Sequence, residues 1–200
     1  MKGFTLWFTG LPRSGKTTLS QEVEAILLER GLDVETIDGK LARQIISRGL
    51  GISKDDQNEH VRRIAFICKL LSRNKIIAIA AATSPLVQTR EETRASISNF
   101  VEVFCKCPIE ICISRDKTDL YAKAKSGELK GVVGIDAPYE PPEKPEIIVE
   151  TDKETVEESV KKIIYSLELL GYILKMEGIS DYSPEEEEII KKRLKDLGYI

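Results

Sequence analysis

The chain has 200 residues and is poor in several things: one histidine, one tryptophan, two methionines, four cysteines, and aromatics at 6%. No apolar run approaches the ~18 residues that a membrane-crossing helix needs, so no membrane partner is expected. No sign of charge dominates either. Thirty Lys plus Arg stand against 33 Asp plus Glu, net −3, which excludes the broad basic surface of a general nucleic-acid binder. Three cysteines fall close together (Cys105, Cys107, Cys112) and Cys68 lies apart, but His60 is the only histidine and no second close pair exists. A zinc site wants one or the other, so reduced thiols acting as small hydrophobes are expected, without zinc or disulfide. Met1-Lys2-Gly3 runs straight into Phe4-Thr5-Leu6-Trp7-Phe8, too short for a signal peptide, and a cytoplasmic location is expected.

What is present is the composition of a folded domain, 42% hydrophobic and 32% charged, in a length that can bury a core without staples. Short apolar runs alternate with amphipathic stretches. Strands are expected over Gly3–Thr9, Val34–Asp38, Ile76–Ala82, Phe100–Cys105 and Ile147–Val149. Helices are expected over Lys16–Arg30, Leu41–Arg48, Asp55–Arg73, Arg90–Ser98, Ile109–Arg115 and Thr155–Leu170. This alternation predicts an α/β fold of three layers with a mostly parallel sheet. Lys117–Pro145 breaks the rhythm with glycines at 127, 131 and 134 and prolines at 138, 141, 142 and 145. It reads as a long mobile loop with room for one helical turn, a lid. Ser183 as N-cap, Pro184 and the acids Glu185–Glu188 open a last helix. It reads as a docked or solvated tail, or else as a partner-binding appendage. The expected division is a main domain over 1–171, with its lid at about 117–145, and a helical tail over 172–200.

The chemistry starts at Gly10-Leu11-Pro12-Arg13-Ser14-Gly15-Lys16-Thr17, then Thr18. This is G-x-x-x-x-G-K-T between an expected strand and an expected helix, the context that makes it a phosphate-binding loop. The glycines let successive N–H groups turn toward phosphate oxygens, and the helix adds its positive N-terminal end. Lys16 neutralises the β- and γ-phosphates, and the Thr17 hydroxyl holds Mg²⁺. Asp38 ends the second strand, at the sheet edge where ligands bind in such folds. Its carboxylate can accept a proton from an attacking hydroxyl or hold a magnesium-bound water; alternatively it merely caps the following helix. Arg43, five residues on, is placed to clamp an anion.

With these residues the chain resembles the adenylylsulfate kinase family, which uses ATP to phosphorylate the 3′-hydroxyl of adenosine 5′-phosphosulfate. Asp38-Gly39…Arg43 matches D-G-D-x-x-R, and Arg62-Arg63, Ser84-Pro85 and Arg115-Asp116 follow in family order. The most specific stretch is Leu120-Tyr121-x-Lys123-Ala124-Lys125-x-Gly127-Glu128-Leu129-Lys130, then Gly134-Ile135-Asp136-x-Pro138-Tyr139-Glu140. The resemblance runs from about Lys2 to Leu170 and leaves 172–200 outside. It implies a three-layer P-loop NTPase fold of the nucleotide-kinase kind, with 1–171 as the P-loop kinase domain, ATP and Mg²⁺ as cofactors, small-molecule substrates and a homodimer. It places residues 10–18 and Arg115 on ATP, Thr17 and Asp38 on magnesium, and Lys16 and Asp38 in catalysis. Arg43, Lys123 and Lys130 then act on the acceptor. Ser84 matches a serine sometimes described as phosphorylated in the family; its plainer role is a strand-end cap, and direct in-line transfer is expected.

The departures gather at the acceptor. Lys40 stands for the second aspartate of D-G-D; Ile52, Gln57 and His60 stand for phenylalanine, arginine and asparagine; Val132 and Val133 stand for phenylalanine and threonine. The family stacks the acceptor adenine between the two phenylalanines, and base–aromatic stacking is worth ~1–3 kcal/mol. Losing both rings and the arginine weakens acceptor binding by ~10²–10⁴-fold where nothing compensates. Two alternatives therefore stay open: a relative acting on a different small hydroxyl compound, and a non-catalytic nucleotide-binding module.

Overall fold

A computed structural model describes residues 2–175 and 184–200. Five strands, β1 (Thr5–Thr9), β2 (Val34–Asp38), β3 (Ile77–Ala81), β4 (Phe100–Lys106) and β5 (Ile147–Glu150), form one sheet in the order β2-β3-β1-β4-β5. Every pairing is parallel. The central strands are buried on both faces, as a sheet covered by helices requires. On one face Leu6, Phe8, Ile79, Val101 and Val103 pack with α1 (Lys16–Glu29) and α7 (Val156–Leu169). On the other, Trp7, Ala78, Ala80 and Phe100 meet Val61, Ile64 and Cys68 of α3 (Lys54–Arg73). Small alanines on β3 let α3 lie close, and each fully buried Leu, Ile or Phe contributes ~1.5–3 kcal/mol. Among the described residues no helix is long and apolar enough to cross a membrane.

The expected elements all form, with boundaries that differ where a side chain from elsewhere intervenes. Helix α2 (Gly39–Ile45) starts two residues before the expected Leu41, because the Asp38 carboxylate caps it. Helix α4 (Val87–Ser96) starts three before the expected Arg90. Its first N–H, on Val87, donates to Glu140 Oε2 at 2.8 Å from the far end of the lid, a cap no local pattern could reveal. Helix α5 spans Ile109–Ser114.

The lid is more structured than the expected loop. It contains α6 (Leu120–Lys125) and an isolated bridge between Val133 and Ala137. Tyr121, Ala124 and Val132 build a small core there with Cys112; the spacing Tyr121–Ala124 supplies the helical face. Helix α8 (Pro184–Asp196) is present, while the expected cap Ser183 lies outside the described residues. All four cysteines are free, Cys107 half-buried and the others buried. Burial pushes the Cys105 thiol up to about 12.

Candidate active site

The loop after β1 turns because its glycines allow it. Gly10 has φ 149°, and a Cβ there would sit 2.6 Å from the Cys105 carbonyl of β4 and 2.7 Å from Ser14 Oγ. Arg13, at φ 66°, holds a left-handed conformation without being glycine, a strain typical of functional loops. Helix α1 begins with no side-chain cap and no acid in its first turn, so its leading N–H groups face outward, ready for an anion. Lys16 is buried and its Nζ donates to the carbonyls of Gly10 (3.0 Å) and Leu11 (2.7 Å). Burial pulls this ammonium down to about 8.

Asp38 caps the helix that follows it and also contacts the P-loop helix. Its Oδ1 accepts the N–H groups of Lys40 (2.8 Å) and Leu41 (3.0 Å), while Oδ2 accepts the Thr17 hydroxyl at 2.9 Å. One carboxylate thus caps α2 and reaches the P-loop helix. Two cavities meet here and share Arg13, Lys16 and Thr17. The first, of about 460 Å³, is lined by Gly15, Thr18, Arg115 and Thr151. Arg115 donates to Thr151 O at 2.6 Å and Thr151 Oγ1 donates to Ser14 O at 3.0 Å, which ties the arginine to the loop.

The second cavity, of about 540 Å³, takes Asp38, Arg43, Ile52, Gln57, His60 and Ser84 into its wall. Arg43 donates to Gly51 O and, at 3.4 Å, to Asp56 O. His60 is half-buried, with Nδ1 2.8 Å from Ser47 Oγ. Burial and then the Arg43 charge hold its imidazole below the ordinary 6.5, so it is neutral at pH 7. Gln57 Nε2 donates to Ile52 O (3.0 Å) and to Gly131 O on the lid (3.4 Å). Ser84 has φ 43°, its Oγ accepts Trp7 Nε1 at 3.1 Å, and its carbonyl accepts Arg90 at 2.5 Å.

The lid is fastened at its root. Tyr121 donates its hydroxyl to Pro12 O at 2.7 Å, and Arg13 pairs with Asp116 at 3.1 Å. Burial raises the Asp116 carboxyl, but N–H groups of Tyr121 and Thr118, the Thr118 hydroxyl and Arg13 together hold it down to about 2. Three sequence-derived site residues are not brought to the acceptor wall. Lys123 stands 3.8 Å from Glu128, and neither it nor Lys130 borders either cavity. Val132 is turned into the lid's own core, so Gly131 and Val133 flank the cavity in its place. Sequence reasoning missed Thr151, Thr83 and Thr118. Thr151 directly follows β5, and its place at the carboxyl edge of the sheet was the available signal.

The comparisons agree with this geometry. The family model described as adenylylsulphate kinase matches residues 2–150. A curated adenylyl-sulfate kinase of Rippkaea orientalis is 48% identical over 174 residues, 87% of this chain and 96% of the relative. One of Halothermothrix orenii is 48% identical over 172 residues, 86% and 93% of the two chains. Among solved structures, the Mycobacterium tuberculosis APS kinase CysC in complex with AMPPNP and APS superposes with a TM-score of 0.80 at 36% identity, covering 84% of this chain and 98% of that one. A P-loop opening on two cavities, Asp38 beside Thr17 in the wall of the second, and this degree of likeness place the chain in the adenylylsulphate kinase family.

Proposed function

We propose that the protein transfers the γ-phosphoryl group of ATP to the 3′-hydroxyl of adenosine 5′-phosphosulfate, giving 3′-phosphoadenylylsulfate and ADP. The observation that carries this reading is the meeting of two cavities at Arg13, Lys16 and Thr17, with Asp38 of the second cavity 2.9 Å from the Thr17 hydroxyl. A nucleoside triphosphate in the first presents its γ-phosphate to a hydroxyl in the second, and transfer proceeds in line with no enzyme-bound phosphate. Arg115 and Thr151 flank the base end, and the loop N–H groups with Lys16 take the phosphates. Asp38 Oδ2 orients the acceptor hydroxyl and receives its proton as the oxygen–phosphorus bond forms and the bond to the β-phosphate oxygen breaks. Arg43 faces the acceptor's phosphosulfate. The Thr17 hydroxyl and the Asp38 carboxylate, 2.9 Å apart, are the hard oxygen donors that suit Mg²⁺, which supplies charge neutralisation on the triphosphate when bound. The catalytic unit in this reading is 1–171 with its lid at 117–145, and 172–200 is a helical tail. A homodimer and a cytoplasmic setting belong to the same reading.

A second reading has one observation in its favour. No Phe, Tyr or Trp borders the acceptor cavity among the described residues; Ile52, Val133 and Leu120 do. A smaller, non-aromatic hydroxyl compound fits such a wall. Both readings are tested by ADP release with adenylylsulfate against a panel of hydroxyl compounds, products identified by mass. Phosphorylated adenylylsulfate at ~1 s⁻¹ or faster upholds the first; turnover of a panel member alone replaces it with the second.

A further inference from the structure

Helix α8 lies beyond the family match, which ends at residue 150, yet it is joined to the wall of the acceptor cavity. Ile190 and Leu194 are buried against Tyr165, Leu169 and Leu170, which seats α8 on α7. That contact alone would make the tail a packing element. Its other flank does something different. Arg193 donates to the carbonyls of Pro145 and Glu146, and the Tyr199 hydroxyl donates to Glu146 Oε1 at 2.5 Å.

Glu146 is buried and is the first member of a continuous charged network. Arg94 donates to both of its oxygens (2.5 and 3.0 Å), and the Glu102 N–H donates to Oε2 at 2.6 Å. Glu102, also buried, takes Arg94 at 3.1 Å and Arg90 at 3.0 Å. Arg90 then donates its remaining nitrogens to the Ser84 carbonyl (2.5 Å) and the Glu140 carbonyl (2.6 Å). Ser84 is in the wall of the acceptor cavity in a left-handed conformation, and Glu140 caps α4 at the end of the lid. The short link from Glu140 to Glu146 carries prolines at 141, 142 and 145, so it transmits displacement stiffly.

We propose that the C-terminal segment is a strap that positions the acceptor side of the cleft, with Arg193 and Tyr199 as positioning residues acting through Glu146. Tyr199 holds the Glu146 carboxylate, and Arg193 holds the backbone carbonyls of Pro145 and Glu146. An acceptor deprived of its donor must find another, and in a dry network that rearrangement propagates to its partners. Loss of the strap lets Arg94 and Arg90 shift and frees both Ser84 and the lid's return. The nucleotide side is fastened separately, by Arg115, Thr151 and Ser14, and is untouched. The strap therefore sets acceptor affinity and leaves ATP affinity alone. The choice of acceptor, though not the strap, rests on the function proposed above.

The test uses full-length Arg193→Leu and Tyr199→Phe. Kinetics with adenylylsulfate and ATP are combined with hydrogen exchange over residues 138–146. In Arg193→Leu the acceptor KM rises about 3- to 10-fold, the ATP KM stays within about twofold, and exchange over 138–146 quickens. Tyr199→Phe shifts the same quantities less, and Arg193→Lys recovers part of the loss. Unchanged acceptor KM and unchanged exchange in 138–146 would overturn the strap. So would a parallel rise of both KM values with faster exchange throughout the chain, because that is global loosening. If the wild-type chain does not turn over adenylylsulfate, the functional reading falls, and exchange at 138–146 alone then decides the strap.

Discussion

The two cavities that share Lys16 and Thr17 are held in place by different means. On the phosphate side the loop itself is local: residues 10–18 fold on themselves, with glycine conformations and Lys16 bonded to carbonyls five and six positions back, and Thr151 ties it to β5 from outside. On the acceptor side local bonds such as Gln57 to Ile52 O are joined by contacts distant in sequence. Gln57 reaches Gly131, Arg13 reaches Asp116, and Val87 takes its cap from Glu140. A site built locally keeps its chemistry when the rest of the chain drifts. One built from long-range contacts can be re-lined residue by residue, and that is where Ile52, Gln57, His60 and Val133 depart from the family pattern. The comparison predicts large, substrate-independent effects on the first side and smaller, acceptor-selective ones on the second.

The largest loss is expected at Lys16. Lys16→Met removes the charge at the junction of both cavities, and kcat falls ~10³-fold or more, as loss of a transition-state donor does; steady-state kinetics check this with any acceptor. The pH dependence is a sharper probe. Burial puts the Lys16 ammonium at about 8, below the ordinary 10.5. Between these values the unfolded chain binds a proton that the folded chain lacks, so Lys16 makes stability rise with pH across that window. A bound triphosphate favours the charged form, so ATP binding takes up a proton above about pH 8 and weakens as pH climbs. Calorimetry in buffers of different ionisation heat measures the uptake, and its absence would place the phosphates away from Lys16.

Asp38→Asn comes next and separates the two roles of that side chain. The amide oxygen still caps α2, while the charge beside Thr17 is lost. Expected is a ~10²–10⁴-fold fall in kcat with a melting temperature close to wild type. Asp38→Ala loses the cap as well, at about 1 kcal/mol, and melts earlier. Should Asn keep full activity, the carboxylate serves the helix alone.

Ile52→Phe tests the acceptor side. Ile52 is half exposed at the cavity rim, with its Cβ 3.0 Å from where a Cβ on Gly131 would lie. A ring there can stack on a base, worth ~1–3 kcal/mol. The adenylylsulfate KM is expected to fall about 5-fold or more, with ATP unaffected. Val132→Phe should do the opposite of what its motif position suggests. Val132 is packed in the lid core, and overpacking costs ~1–3 kcal/mol, read as a lower melting temperature.

The same local–distant divide governs what could be read from sequence. The P-loop, Asp38 and the five strands were legible because spacing, glycine positions and apolar runs act within a few residues. Arg115 was legible from its motif, and Thr151, which directly follows β5, sits where the sheet edge places it and was open to the same rule. Val132 was assigned by motif position, and only the packing of Tyr121 and Cys112 against it reveals that it faces inward. The early start of α4 depends on Glu140, 53 residues away, and the acceptor wall includes Thr83 and Thr118, which have no local signature. Long-range capping leaves no trace in a local pattern.

The smallest effects are expected at the lid lysines, and they decide whether the lid moves. Lys123 is about half exposed, and its approach to Glu128 at 3.8 Å is a surface contact, worth ~0–1 kcal/mol at most. With the lid fixed as it stands, Lys123→Ala and Lys130→Ala border neither cavity and change the acceptor KM by less than about twofold. With a lid that folds further over bound substrates, each ammonium meets an anionic oxygen, and its loss raises the acceptor KM about tenfold, the ~1.4 kcal/mol of a charge-assisted contact. The salt dependence distinguishes these outcomes from general weakening. Only the closing lid makes the wild-type acceptor KM climb with ionic strength while that of the double variant stays flat.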